Sequence, residues 1–100
     1  SYKPSRFRGP VSHVVQLGTL AVDPRRHGQG VAQRMIGDAL ARLKAEGTRR
    51  VELMAEADNE RGLRFYKKFG FVEEGRLREF YKRADQDHYV DELVMGLLLA

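Results

Sequence analysis

One hundred residues make a single domain with one modest core, burying about two thirds of the surface that the unfolded chain would expose. The lack of cysteine removes disulfide frameworks, zinc–thiolate clusters and thiol nucleophiles, and no apolar run approaches the roughly 18 residues of a membrane span. The 18 lysines and arginines against 14 aspartates and glutamates leave +4, spread along the chain without an aromatic-interleaved basic stripe, which favours a solvated face that attracts an anion over a nucleic-acid surface.

Residues 1–12 are polar, carry Pro4 and Pro10, and are expected to form an irregular arm or the tail of an earlier strand. Lys3, Arg6 and Arg8 are not followed by a signal-peptide core, so a cytoplasmic protein away from membranes is expected. The β-branched and aliphatic run from His13 to Val22, closed by Asp23-Pro24, predicts a buried strand. After Arg25-Arg26-His27-Gly28-Gln29-Gly30, the apolar residues Val31, Ala32, Met35, Ile36, Ala39, Leu40 and Leu43 recur at three- and four-residue spacings, which predicts an amphipathic helix stopped by Gly47. Gly28 and Gly30 allow a tight turn that presents N–H groups where the helix dipole is positive, a cradle suited to a phosphate or pyrophosphate. A tight turn without a ligand is the other reading of these two glycines. The Walker A pattern is absent, and so is the third glycine of a dinucleotide fingerprint.

A second strand is expected between Thr48 and Ala57, with Val51, Leu53 and Ala55 on one face and Glu52, Met54 and Glu56 on the other. Strand, helix and strand in this span predict a parallel βαβ unit, whose ligands sit at the carboxyl ends of the strands, near Val22 and Glu56. Asp58-Asn59 is expected to cap a helix over Glu60 to Phe69 carrying Leu63, Tyr66 and Phe69 and ended by Gly70. A strand follows from Phe71, open to interruption at Gly75, and continues outward through Arg76 to Arg83, where Leu77, Glu79 and Tyr81 alternate with Arg78, Phe80 and Lys82. Tyr89 to Leu98 completes an antiparallel hairpin, and this last strand is the expected sheet edge, a place where two copies could pair as a homodimer.

Arg25-x-x-Gly28-x-Gly30, between Leu20-Ala21-Val22-Asp23-Pro24 and Val31-Ala32, resembles the acetyl-CoA-binding motif of the GNAT superfamily of N-acetyltransferases. The resemblance continues through Asp58-Asn59, Phe65-Tyr66-Lys67-Lys68-Phe69-Gly70-Phe71 and Tyr89-Val90-Asp91-Glu92. It implies an α/β fold with a mixed sheet, residues 13–100 forming the carboxy-terminal portion of a GNAT domain that lacks its amino-terminal strands and helices. A fragment of a longer protein is the favoured expectation, ahead of a shortened member that completes its sheet differently.

For function, the resemblance implies transfer of an acetyl group from acetyl-CoA to a primary amine by direct attack. The acceptor is a small-molecule amine or a peptide amino terminus, and the alternative is a coenzyme A-binding module without turnover. The pyrophosphate is assigned to the backbone amides of His27, Gly28, Gln29, Gly30, Val31 and Ala32, with Arg25 and Arg26 beside it. Leu20 and Val22 would pair with the pantetheine arm, Asn59 would bond that arm, and Tyr66 would protonate the departing thiolate. Several family members carry a glutamate where this chain has Met54, so the carry-over of a general base fails there. Glu56, then Glu52, are the substitutes on the same face. Neither His13 nor His27 has a histidine partner at ligand spacing, and no metal is expected.

Overall fold

The computed structural model describes residues 5–6, 9–18, 28–82, 84 and 87–99. Ser5–Arg6 (β1) pairs antiparallel with Val14–Gln16 (β2), and β2 runs parallel to Arg50–Glu56 (β3). Val72–Lys82 (β4) and Tyr89–Leu98 (β5) form the antiparallel hairpin, and the sheet order is β1-β2-β3-β5-β4. The helix Gln29–Ala45 (α1) joins β2 to β3, and Glu60–Lys68 (α2) joins β3 to β4.

Of the run expected as one strand from His13 to Val22, residues 13–18 are described; they form a strand over Val14–Gln16, and Leu17 adds one further bond through its N–H to Glu52 O at 2.9 Å. Residues 19–27 lie outside the described residues. Among the described residues the β2–β3 ladder runs to Gln16 and Glu52, and β3 continues to Glu56 along β5.

Alternation along β3 follows the sequence pattern: Val51, Leu53 and Ala55 are buried, and Glu52, Met54 and Glu56 are half-buried on the opposite face. The buried set joins Ile36 and Leu43 of α1, Phe65 and Tyr66 of α2, and Met95 of β5 in one core. Each large aliphatic side chain removed from water there contributes about 1.5–3 kcal/mol. Val31, expected on the apolar stripe of α1, is instead 51% exposed, while its neighbour Ala32 takes the buried position in the core.

Both helices end in the same motif. Gly47 and Gly70 adopt φ of 88° and 99°, and the following residues, Thr48 and Phe71, donate their N–H groups back to Leu43 O and Tyr66 O at 2.9 and 3.3 Å. The Phe71 ring closes over Tyr66 with centroids 6.3 Å apart.

Two expectations for the hairpin need correction. The last strand, β5, is not an edge: it lies between β3 and β4, paired with both, and the edges of the described sheet are β1 and β4. The alternation expected from Arg76 to Arg83 also fails, because the register shifts between Leu77 and Tyr81 and Glu79 turns left-handed at φ 50°. Gly75 does not interrupt the strand, although a first shift falls between Glu73 and Gly75. No helix among the described residues is long and apolar enough to cross a membrane.

Candidate functional site

The amino terminus of α1 is open. Gly28 stands before the helix at φ 76°, ψ 153°, a backbone region that essentially only glycine occupies, and among the described residues no side chain caps the turn. The first intrahelical bond runs from Ala32 N–H to Gly28 O at 3.1 Å, so the N–H groups of Gln29, Gly30 and Val31 precede any acceptor within the helix. The first turn contains no acidic residue, and Gly28, Gly30 and Val31 are exposed. Peptide dipoles and outward N–H groups make this end positive. Ala32, expected to offer its amide with the others, is used differently: its N–H closes the first turn and its side chain is fully buried. Leu20, Val22, Arg25, Arg26 and His27 fall outside the described residues.

α2 begins in a closed way. Asn59 is buried and its Oδ1 accepts the Gly62 N–H at 3.0 Å, while Glu60 places a carboxylate in the first turn. A Cβ on residue 62 would stand 2.2 Å from Asn59 Nδ2 and 2.8 Å from its Cγ, so the cap fits only over a glycine. One turn on, Tyr66 is completely buried, edge-on to Phe65 and Phe71 with centroids 5.5 and 6.3 Å apart, in the same core as Ala32 and Ile36.

The carboxylates lie across the sheet. Glu52 is tied: Arg50 donates to its Oε2 from Nε and Nη2 at 3.0 and 2.8 Å, and Gln16 Nε2 donates to its Oε1 at 3.3 Å. Arg50 also reaches Glu74 on β4 at 2.5 Å, passing over Gly96 of β5, where a Cβ would stand 2.7 Å from both Glu74 oxygens. The Arg50 guanidinium holds the Glu74 carboxyl below the usual glutamate range. Glu56, at the end of β3, is directly opposite Glu92 of β5. Met54 and Glu92 line a cavity of about 310 Å³ with Gln16, Leu17, Glu52 and Val94, beside the last described pair of the β2–β3 ladder. Tyr66 and Glu56 are thus on opposite faces of the sheet. Among the described residues no group of three or more His, Cys, Asp or Glu could hold a metal ion.

The profile of the acetyltransferase (GNAT) family matches residues 2–71. The chain belongs to the GNAT family. It is 37% identical over 68 residues to mycothiol acetyltransferase of Brachybacterium faecium, covering 68% of this chain and 20% of that protein. It is 32% identical over 65 residues to N-alpha-acetyltransferase 30 of Schizosaccharomyces pombe, covering 65% of this chain and 43% of that one. The fold superimposes on an N-acetyltransferase from Staphylococcus aureus with a TM-score of 0.79 at 23% identity, over 99% of this chain and 59% of that structure. The chain therefore spans less than half the length of these two curated relatives.

In this GNAT domain, sequence reasoning assigned no role to Glu92, nor to the contacts of Asp91. Glu92 opposes Glu56 only by virtue of the β3–β5 register, which no local pattern encodes. Asp91 accepts the Glu79 N–H at 2.7 Å and Arg76 Nε at 2.6 Å, contacts that depend on an irregular stretch of β4.

Proposed function

We propose that this chain binds acetyl-CoA at the amino terminus of α1 and transfers the acetyl group to a primary amine by direct attack. The open first turn of α1 carries the reading: a glycine-only conformation at Gly28, exposed N–H groups and no acidic residue make a place for a pyrophosphate. Acetyl-CoA supplies a thioester, an acyl group already activated toward an amine. The thioester would lie near the carboxyl end of β3, between two chemically different faces of the sheet.

On the helix side, Tyr66 would donate its phenolic proton to the departing sulfur as the C–S bond breaks; a phenol keeps that proton at neutral pH, its usual pKa being about 10. On the other side, Glu56 would take a proton from the incoming ammonium, directly or through water, leaving the nitrogen lone pair to form the C–N bond. Glu52 suits this less, because it lies farther from the carboxyl end of β3. Asn59 would bond the cofactor arm while capping α2. The acceptor is a small-molecule amine or a peptide amino terminus; one relative is named for mycothiol and another for N-alpha acetylation.

Gly30→Glu tests the site by separating folding from binding. Residue 30 is helical and a Cβ there meets nothing within 4 Å, so glutamate fits. Replacing a helical glycine and adding a negative charge in the first turn should raise stability by about 1 kcal/mol. The same charge should lower acetyl-CoA affinity at least about tenfold by like-charge repulsion. Calorimetric titration beside urea unfolding measures both. An unchanged affinity in the variant, or no binding by the parent chain, would refute the assignment. Binding without transfer to any amine would leave a coenzyme A-binding module.

A further inference from the structure

The face of the sheet away from α1 and α2 carries one apolar step among charges. Along β3 that face reads Arg50, Glu52, Met54 and Glu56, and the residues of β5 opposite the last three are Gly96, Val94 and Glu92. Met54 and Val94 thus stand directly across from each other, both half-buried. This apolar pair lies between the Arg50–Glu52 ion pair and the Glu56–Glu92 rung, and it adds nothing to the core, which is on the other face.

Met54 and Val94, with Leu17 just past β2, form an apolar wall of the cavity of about 310 Å³. Its charged residues are Glu52 and Glu92, and no lysine or arginine lines it among the described residues. Pockets for small ligands run from about 300 to 1,000 Å³ and are mostly apolar with a few polar groups, so this one is at the lower end. A two-carbon acyl group is comparable with two water molecules, about 30 Å³ each in the liquid, and uses a minor part of that space.

An acyl chain on the thioester is directed toward this cavity. On the helix side Leu53, Phe65 and Tyr66 are all buried in the core and leave no room for added carbons. The open face has room: Glu92, which opposes Glu56 at the carboxyl end of β3, also lines the cavity at Met54. Methionine suits such a wall, because its unbranched side chain adapts to neighbours of different length.

We propose that the cavity at Met54 and Val94 is an acyl pocket: the chain takes propionyl- and butyryl-CoA as donors besides acetyl-CoA, and excludes acyl groups that end in a carboxylate. This role rests on the thioester position proposed above, whereas the donor class goes beyond it. Glu52 and Glu92 supply the exclusion, since a terminal carboxylate would meet like charges and no cation in the lining. Chain length leaves the transfer balanced: the C–N bond forms as the C–S bond breaks, and the ammonium loses two protons, one ending on the departing thiol and one released.

Calorimetric titration with acetyl-, propionyl-, butyryl- and succinyl-CoA, beside urea unfolding of each variant, tests the pocket. Two added methylenes, each about fourfold in affinity when buried, should make butyryl-CoA bind about tenfold more tightly than acetyl-CoA, with propionyl-CoA between. Succinyl-CoA should bind at least about tenfold more weakly than butyryl-CoA. Met54→Trp and Val94→Phe fill the cavity from opposite strands, and either should bring the butyryl-to-acetyl ratio down to about one. Should one fail to fold, the other carries the test, and the succinyl comparison needs no variant. A ratio of one in a parent chain that binds acetyl-CoA would overturn the pocket and leave the acetyl-CoA reading standing. Succinyl-CoA bound as tightly as butyryl-CoA would overturn the exclusion. A ratio that survives the filling in a folded variant would seat the acyl chain elsewhere. In steady-state transfer to a primary alkylamine, a raised amine KM in the filled variants with an unmoved ratio would give the cavity to the acceptor and overturn the pocket. No binding of any thioester by the parent chain would refute the site at α1 and the pocket together.

Discussion

α1 and α2 lie on one face of the sheet and close their carboxyl ends with the same glycine motif, yet their amino termini are built oppositely. α2 satisfies its first turn internally, through the Asn59 side chain on Gly62 N–H and the charge of Glu60. α1 has neither device and holds Gly28 in a conformation that would exclude an ordinary Ser or Asp cap. Unsatisfied N–H groups at an exposed helix end are solvated at little cost, so an open end is tolerable but stabilises nothing by itself. The contrast therefore suits the proposed division of labour: the closed end fixes a side chain, Tyr66, and the open end is where we propose that an anion binds.

The sharpest way to break that division is Tyr66→Phe, which keeps the ring against Phe65 and Phe71 and removes only the hydroxyl. If α2 serves the chemistry, acetyl transfer should fall by about 10²-fold or more, the range for loss of a general acid, with acetyl-CoA affinity unchanged. Transfer at the parent rate would reduce Tyr66 to core packing, and the closed end of α2 would have no chemical purpose.

Gly62→Ala addresses the closed end directly. The added methyl would overlap the Asn59 amide, forcing the cap side chain out of place. Overpacking together with a lost cap should cost about 1–3 kcal/mol in urea unfolding. A variant as stable as the parent would mean that the Asn59–Gly62 contact does not close α2.

Much of this arrangement was legible because it is local. The two helices, their glycine stops, the Asn59 cap and the alternation of β3 follow from spacing within a few residues, and the span Tyr89–Leu98 was read correctly for the same reason. What was not legible depends on which strand pairs with which. The last strand in the chain was taken as the last in the sheet, whereas β5 inserts between β3 and β4, and this insertion sets Glu92 against Glu56. The bulge at Glu79 escaped notice because β4 is an edge, exposed along its length, where no hydrophobic alternation is enforced and the decisive contact comes from Asp91. Five of the expected cofactor-binding residues, Leu20, Val22, Arg25, Arg26 and His27, lie outside the described residues, so the open end of α1 is argued from Gly28 onward.

The smallest expected effect belongs to the open face, where Arg50 reaches Glu74 across Gly96. Arg50 lowers the Glu74 pKa, chiefly through its side-chain hydrogen bond, so the folded state holds the carboxylate more strongly than the unfolded chain does. The stability from this pair is present above the unfolded glutamate value of about 4.3 and is lost as the pH falls through the lower folded value. Because Glu74 is exposed, solvent screens the pair and its contribution is small. Glu74→Gln should thus lower the melting temperature at pH 7 by no more than a few degrees, and the gap between parent and variant should close on acidification below the ordinary glutamate range. A gap that stays constant down to the acid limit would show that the variant acts through packing over Gly96 and that the charge of Glu74 contributes nothing. The Arg50–Glu74 pair would then be neutral to folding, and Arg50 would matter on this face through its bonds to Glu52.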